Sequence, residues 1–133
     1  MCGIVGIAAP TGEPLGPETI TRMRLLVSHR GPDDAGYCSV DLKSGHIQTG
    51  STAVSASLQL GFTRLSIRDL SHSGHQPMLS DDGSIVILFN GEVYNTDQLI
   101  ADYLQGVPLR STSDTEIVLR LIQKLGLTQT ARV

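Results

Sequence analysis

The chain has 133 residues, 40% of them hydrophobic, and a formal net charge of −3. This length suits one globular domain with a modest core, and the negative charge argues against nucleic acid or an anionic membrane surface as a partner. No apolar run is long enough to span a bilayer and no secretory signal is recognisable at the start. The expected compartment is therefore the cytoplasm.

The start of the chain predicts a strand followed by a helix. "CGIVGIAA" is rich in β-forming residues and predicts a buried strand. A helix is expected from Pro17, because Ile20, Met23 and Val27 then fall on one face. The polar stretch "HRGPDDAG" ends that helix, since its Gly-Pro pair cannot continue it.

Two further strands are predicted in the middle of the chain. "GYCSV" is typical of a strand in which Cys38 is a small buried hydrophobe. "LQLGFTRLSI" predicts a long strand with Leu58, Leu60 and Phe62 on one side. Residues 41–57, rich in Ser, Thr and Gly, are interpreted as a hairpin or a flexible insert between the two strands.

The second half of the chain predicts one more strand and two helices. "SIVILFN" is the clearest buried strand in the sequence. Asn95 or Thr96 can cap the first helix, and the second helix has a capping box from Ser113 to Glu116 and a stop at Gly126. The apolar faces are formed by Leu99, Ile100, Tyr103 and Leu104 in the first helix and by Ile117, Val118, Leu121, Ile122 and Leu125 in the second. This order of elements predicts an α+β fold with a layered sheet.

Cys2 is the first candidate for chemistry. Removal of the initiator methionine would leave this residue with a free α-amine beside its thiol. Such an amine has a pKa of about 7.7–8.0, so a useful fraction is neutral near pH 7 and can accept the thiol proton. A histidine base is then unnecessary, and none of the four histidines has a convincing context for one. On its own, Cys2 is equally well explained as an incidental small residue.

The second candidate is "FNGEVYN", which follows the strongest predicted strand. The Asn90 side-chain amide and the Gly91 N–H are two donors that can converge on one oxygen, as an oxyanion hole requires. Loss of such a donor typically costs about 3–4 kcal/mol of barrier. Glu92 adds a carboxylate beside them. The alternative is a hairpin, because Asn-Gly is a strong signal for a type I′ turn.

Six segments together resemble a known family. "MCGIVG", "HRGPDD", "LGFTRLSI", "QPM", "FNGEVYN" and "SDTE" occur in the order found in the glutaminase domain of glutamine-hydrolysing asparagine synthetases. That domain is a class II glutamine amidotransferase and an N-terminal nucleophile hydrolase. The resemblance implies a layered αββα sandwich, incomplete at the C-terminus, with residues 1–133 as a partial amidotransferase domain. The ATP-using synthetase domain is absent from these residues.

The resemblance also implies roles for individual residues. Cys2 is similar to the nucleophile, and Asn90 and Gly91 are similar to the oxyanion hole. Arg64 is similar to the residue that binds the glutamine α-carboxylate, for which a guanidinium has suitable geometry. The other residues expected to contact glutamine are two carboxylates for its α-ammonium group and a backbone segment of the pocket wall: Glu92, Asp114, Leu65, Ser66, Ile67 and Arg68.

Simpler explanations stand beside these roles. Arg64 alone would be read as a solvated surface charge, and Asp114 as electrostatic support for a helix N-terminus. "HRGPDD" is interpreted as part of the pocket wall, without a chemical role. His72 and His75 have the spacing of metal ligands but no evident third ligand, so no metal site is expected.

Two kinds of function follow from the sequence. In the first, the chain hydrolyses L-glutamine to glutamate and ammonia through a γ-glutamyl thioester on Cys2. A missing synthetase domain or partner subunit then uses the ammonia to make asparagine from aspartate. In the second, the chain is an inactive remnant or a glutamine-binding module that lacks the rigidity catalysis needs. An amidotransferase with another ammonia acceptor is a further alternative.

The same resemblance sets the expected cofactors and partners. No cofactor is expected in these residues, because ATP and Mg²⁺ belong to the absent synthetase domain. The expected partners are L-glutamine and the synthetase domain or subunit that receives ammonia. A second copy of the chain in a homodimer is left as an open alternative.

Overall fold

The computed structural model describes residues 2–66 and 71–133. The first half of the chain forms β1 (Gly3–Ala8), α1 (Pro17–Leu26), β2 (Asp34–Val40), β3 (Ile47–Gly50) and β4 (Leu58–Arg64). The second half forms β5 (Met78–Leu79), β6 (Val86–Ile87), α2 (Thr96–Tyr103), α3 (Asp114–Leu125) and α4 (Leu127–Thr130). Two 3₁₀ turns lie at Ser28–Arg30 and His72–Gly74. A mixed fold with antiparallel sheets is thus confirmed.

The larger sheet has four antiparallel strands in the order β1-β4-β2-β3. β4 lies between β1 and β2, and β1 pairs with it from Gly3 opposite Thr63 to Ala8 opposite Leu58. Residues 41–57, interpreted as a hairpin or a flexible insert, contain β3, which pairs with β2. Because Cys2 directly precedes Gly3, this register places it beside the residues at the end of β4.

Helix α1 covers one face of this sheet. Its Ile20 is completely buried, and the Thr63 hydroxyl donates a 3.3 Å hydrogen bond to the Val27 carbonyl at the helix end. Side chains alternate between the faces of a strand, so Leu58, Leu60 and Phe62 point to the opposite face, as predicted.

The opposite face is only partly covered by the described residues. Phe62 is completely buried, whereas Ile4 on the neighbouring strand is 44% exposed. Leu58 and Leu60 are half-buried. The segment that precedes β5 packs against Gly36, which lies opposite Phe62 in the neighbouring strand β2.

Two strand predictions are wrong in detail. "SIVILFN" forms only the two-residue strand β6, half-buried and paired with β5, because Met78–Leu79 is the one described segment that hydrogen-bonds to it as a strand. "CGIVGIAA" forms β1 as predicted, but this strand alternates between buried and exposed residues. In the sheet formed by the described residues, β1 is an edge strand and pairs with β4 alone.

Helices α2 and α3 form a second small core. It contains Leu99 and Leu104 from the α2 segment and Ile117 and Leu121 from α3, all less than 10% exposed. Gly126 ends α3 as predicted. Leu119, which lies outside the predicted apolar stripe, is completely buried as well.

The capping box at the start of α3 is half correct. The Ser113 side chain accepts a 3.3 Å hydrogen bond from Thr115 N, as a cap should. The Ser113 N–H, however, donates to Ser111 Oγ rather than to Glu116. The Glu116 carboxylate accepts from Arg110 N, Ser111 N and the Arg120 guanidinium instead. Glu116 is a buried charge whose partners lie on both sides of it in sequence.

We expect Glu116→Gln to lower the free energy of unfolding by about 3 kcal/mol, because it removes one partner of a buried ion pair. The new amide NH₂ would also face backbone donors. Urea denaturation at pH 7 measures this change. Glu13→Gln is the matched control, because Glu13 pairs with Lys43 at the exposed surface, where an ion pair contributes at most about 1 kcal/mol.

The difference in free energy of unfolding between the Glu116→Gln variant and the parent should become smaller at low pH. Burial alone would raise the pKa of Glu116, but hydrogen bonds from Arg110, Ser111 and Arg120 outweigh it and hold the pKa below its ordinary value. The stabilisation is therefore complete above the unfolded-state pKa of about 4.3 and is lost as the pH falls through the lowered folded-state pKa. A difference that stays constant from pH 7 to pH 2 would contradict this assignment.

Candidate active site

A cavity of about 360 Å³ opens between the end of β4, the segment after β6 and the start of α3. Six predicted site residues contribute side or main chain to its lining beside Cys2: Arg64, Leu65, Asn90, Gly91, Glu92 and Asp114. Together with Cys2, these residues come from four separate parts of the sequence. The fold thus brings most of the predicted site to one place.

Cys2 is half-buried at the edge of this cavity, and its main chain and side chain are both held. Its Sγ accepts a hydrogen bond from Leu65 N at 3.4 Å and lies 3.8 Å from Leu65 O. The Arg30 Nε donates a 3.1 Å hydrogen bond to the Cys2 carbonyl. Arg30 belongs to the "HRGPDD" segment, which therefore contacts the candidate nucleophile directly. The same segment contacts Ser66 through Asp33.

Arg64 is a buried cation rather than a solvated surface charge, so the simpler explanation of this residue is wrong. Its side chain is 6% exposed and donates a 3.1 Å hydrogen bond to the Ser71 carbonyl. The guanidinium lies directly against Gly74, where an added Cβ would overlap its Nη2 atom. A glycine is required at this position for the guanidinium to lie where it does.

The Asn-Gly pair is not the turn of a hairpin. Asn90, Gly91 and Glu92 are exposed at the cavity, and in the described chain the next element after β6 is helix α2. The hairpin alternative fails because no strand follows to pair with β6. The loop is tied to α3, since Val93 N donates a 3.0 Å hydrogen bond to Asp114 Oδ2.

Among the described residues, Ser66 is the predicted pocket residue that does not line the cavity. Ser66 N donates a 2.7 Å hydrogen bond to Asp33 Oδ2, which fixes the backbone just after β4. Ile67 and Arg68 lie outside the described residues, and their predicted contacts with glutamine remain predictions.

Sequence reasoning missed other residues that line the cavity. They are Gly74, Gln76, Phe89, Tyr94, Ser113 and Thr115. A signal was available for all of them except Gly74, because the other five belong to the quoted segments "QPM", "FNGEVYN" and "SDTE".

The histidine pair does have a third neighbour. Atoms of Asp34, His72 and His75 that could bind a metal lie within 4.8 Å of one another. However, Asp34 Oδ2 and His75 Nδ1 are 2.6 Å apart, a hydrogen-bond distance, whereas two ligands of a tetrahedral zinc with bonds of about 2.0 Å would lie roughly 3.3 Å apart. The arrangement is that of a hydrogen-bonded pair with the His72 ring stacked on His75.

The sequence of this chain is similar to those of known proteins. A family model described as a glutamine amidotransferase domain matches residues 1–133. This chain belongs to that family. Asparagine synthetase (glutamine-hydrolyzing) 2 of Bacillus subtilis is 38% identical over 130 residues, which is 96% of this chain and 15% of the relative.

Two further relatives of this chain are a second asparagine synthetase and an amidase. Asparagine synthetase (glutamine-hydrolyzing) 1 of Bacillus subtilis is 34% identical over 90% of this chain and 17% of its own length. Amidase chyE of Penicillium rubens is 38% identical over 77% of this chain and 13% of its own length. This chain thus spans less than a fifth of each of these relatives. The resemblance to asparagine synthetases is confirmed.

No helix in the described part of the chain is both long enough and apolar enough to cross a membrane. Its second cysteine, Cys38, is completely buried on β2, as predicted. Burial raises the pKa of the Cys38 thiol to about 11.

The two cysteines should differ in their reaction with iodoacetamide. Only thiolate reacts, and with a pKa of about 11 roughly one Cys38 in three thousand is ionised at pH 7.5. We expect peptide mass spectrometry to find the label on the half-buried Cys2 within minutes and on Cys38 only after unfolding in urea. Cys2→Ala protein should take up no label in the folded state. Equal rates at the two residues in the folded protein would contradict the burial of Cys38.

Proposed function

We propose that this chain hydrolyses L-glutamine to glutamate and ammonia as the glutaminase unit of an asparagine synthetase-type amidotransferase. The observation that carries the proposal is the shared cavity of Cys2, Arg64, Asn90 and Asp114. It combines a nucleophile with donors and with charges of both signs. A zwitterionic amino acid whose reacting group is an uncharged amide needs this combination.

The charged ends of the cavity suit the head group of glutamine. The Arg64 guanidinium would bind the α-carboxylate through two parallel hydrogen bonds. Asp114, with Glu92 nearby, would accept hydrogen bonds from the α-ammonium group. Because Asp114 also accepts from Val93 N, its carboxylate is held in place before a substrate arrives, which reduces the cost of binding.

The chemical step would begin at Cys2 once Met1 has been removed. Its α-amine takes the thiol proton, and the sulfur attacks the side-chain amide carbon of glutamine. The oxyanion accepts hydrogen bonds from the Asn90 side chain and Gly91 N. The α-ammonium then protonates the amide nitrogen, the C–N bond breaks and ammonia leaves. Water attacks the resulting γ-glutamyl thioester and the C–S bond breaks. A proton from the water passes to the sulfur through the α-amine, so that glutamate is released and the thiol is regenerated.

The ammonia would be used outside these 133 residues, in a synthetase domain or subunit that converts aspartate to asparagine. The open face of the four-stranded sheet supports the related proposal that this fold is one part of a layered αββα sandwich. A second sheet would cover Ile4, Leu58 and Leu60, which are exposed or half-buried here. We treat residues 1–133 as a partial amidotransferase domain on this basis.

A different ammonia acceptor is the second candidate. One relative bears the name amidase rather than synthetase, and the residues of the cavity concern glutamine alone. The glutaminase step is common to both candidates. They differ in whether the full chain forms asparagine when aspartate and ATP are supplied.

Glutamine added to the full chain, as its gene encodes it, should release ammonia in a Cys2-dependent reaction. Cys2→Ala should abolish the release, and Asn90→Ala should lower kcat by roughly 100–1000-fold, because it removes one oxyanion donor. A coupled glutamate dehydrogenase assay measures the ammonia.

Two controls accompany this measurement. Intact-mass spectrometry should show loss of Met1, because a retained methionine would block the amine that acts as base. Equal ammonia from Cys2→Ala and parent protein would refute the proposed enzyme. Binding of glutamine without turnover would favour the binding-module alternative.

Gly74→Ala should raise the KM for glutamine roughly tenfold and leave kcat largely unchanged, because the new methyl group displaces the Arg64 guanidinium and weakens substrate binding uniformly. Gly50→Ala is the matched control, since an added Cβ there meets no atom within 4 Å. Steady-state kinetics on both variants test this. An unchanged KM in a folded Gly74→Ala protein would remove Arg64 from its proposed role.

A further inference from the structure

Gln76 lies in the cavity wall and is not assigned any role by the resemblance. It is 5% exposed, and its side-chain amide uses both of its ends. The Oε1 atom accepts a 2.7 Å hydrogen bond from Phe89 N. The Nε2 atom donates a 3.0 Å hydrogen bond to Thr115 Oγ1.

The two partners of Gln76 are neighbours of the proposed reaction machinery. Phe89 directly precedes Asn90, which carries a proposed oxyanion donor, and Thr115 directly follows Asp114, the proposed partner of the α-ammonium group. The loop at Asn90 is exposed. It is anchored on one side by Gln76 through Phe89, and on the other by Asp114 through Val93.

The main chain of Gln76 is fixed to a third element. Gly36 on β2 packs so closely against it that an added Cβ would overlap the Gln76 carbonyl oxygen. β2 pairs with β4, which carries Arg64 at its end. Gln76 therefore joins the sheet, the loop after β6 and the start of α3, the three parts of the fold that must be held in register around one substrate.

The chemistry of the side chain suits this position. A primary amide offers an acceptor and a donor on one rigid plane, which matches a backbone N–H on one side and a hydroxyl oxygen on the other. An apolar side chain of similar length would leave the partly buried Phe89 N without this partner. Productive geometry in an active site tolerates displacements of only about 0.5 Å.

We propose that Gln76 is a positioning residue for glutamine hydrolysis, an inference that rests on the proposed function. Its bond to Phe89 N sets the oxyanion donors relative to the Cys2 sulfur and so acts on kcat. Its bond to Thr115 sets Asp114 relative to Arg64 and so acts on substrate binding. The two bonds affect different kinetic constants.

The test uses substitutions that remove one bond at a time in the full chain. Thr115→Val removes the hydroxyl acceptor at nearly constant volume and should raise the KM for glutamine about fivefold, with kcat within twofold of the parent. Thr115→Ser keeps the hydroxyl and should restore the parent KM. Gln76→Met removes both bonds and should also lower kcat at least tenfold.

A second readout does not need turnover. In Cys2→Ala protein, titration calorimetry gives the Kd for glutamine directly, and Thr115→Val should raise it about fivefold whereas Thr115→Ser should not. A purely structural role of Thr115 would lower the thermal unfolding midpoint without separating the valine from the serine variant in glutamine affinity.

The possible results separate the two proposals. Glutamine binding to Cys2→Ala protein that depends on the Thr115 hydroxyl supports the inference even if the parent shows no Cys2-dependent ammonia release, which would refute the proposed function alone. Equal Kd values for the valine and serine variants, or no glutamine binding at all, overturn the inference. If Gln76→Met fails to fold, the Thr115 pair alone decides.

Discussion

The pairing of β1 with β4 in a single register is the constraint on which the candidate site depends. Gly3 lies opposite Thr63, so the sulfur of Cys2 meets the N–H of Leu65. A slip of one residue would turn every side chain of β1 to the other face and would carry the thiol out of the cavity. Arg30 reinforces the register from a separate segment, because it donates to the Cys2 carbonyl.

Polar contacts tie α3 to the rest of the cavity. Arg120 on this helix donates a 2.6 Å hydrogen bond to Asp81 in the turn between β5 and β6 and also pairs with Glu116. The same turn leads through β6 to the Asn90 loop. Hydrogen bonds depend on direction and distance more steeply than apolar contacts do, so such ties can hold Asp114 in a defined place.

The sequence correctly predicted the elements that have strong local signals, and its resemblance to the family was confirmed. Its predictions were wrong where a structure depends on hydrogen-bond partners elsewhere in the chain. α1 begins at Pro17 and α3 ends before Gly126, as expected. Proline and glycine have this effect through the conformation of their own backbone. The apolar run before Asn90 is not a long strand, since a strand needs hydrogen-bond partners that composition does not reveal. Glu116 was expected to cap its own helix, but it accepts hydrogen bonds from the backbone of the preceding loop and from Arg120 one turn later. No role was predicted for Gln76, although it belongs to the "QPM" segment, because its two hydrogen bonds join segments that are far apart in sequence.

The cavity is assembled from positions that range from Cys2 to Thr115, and this has a consequence for the timing of its formation during synthesis. A ribosome-bound chain with only its first hundred residues outside the exit tunnel already carries the thiol and the arginine of the cavity. It still lacks the carboxylate and hydroxyl at the start of α3, and with them one anchor of the Asn90 loop and one of Gln76. A complete pocket therefore cannot form around the thiol until the start of α3 has also left the exit tunnel.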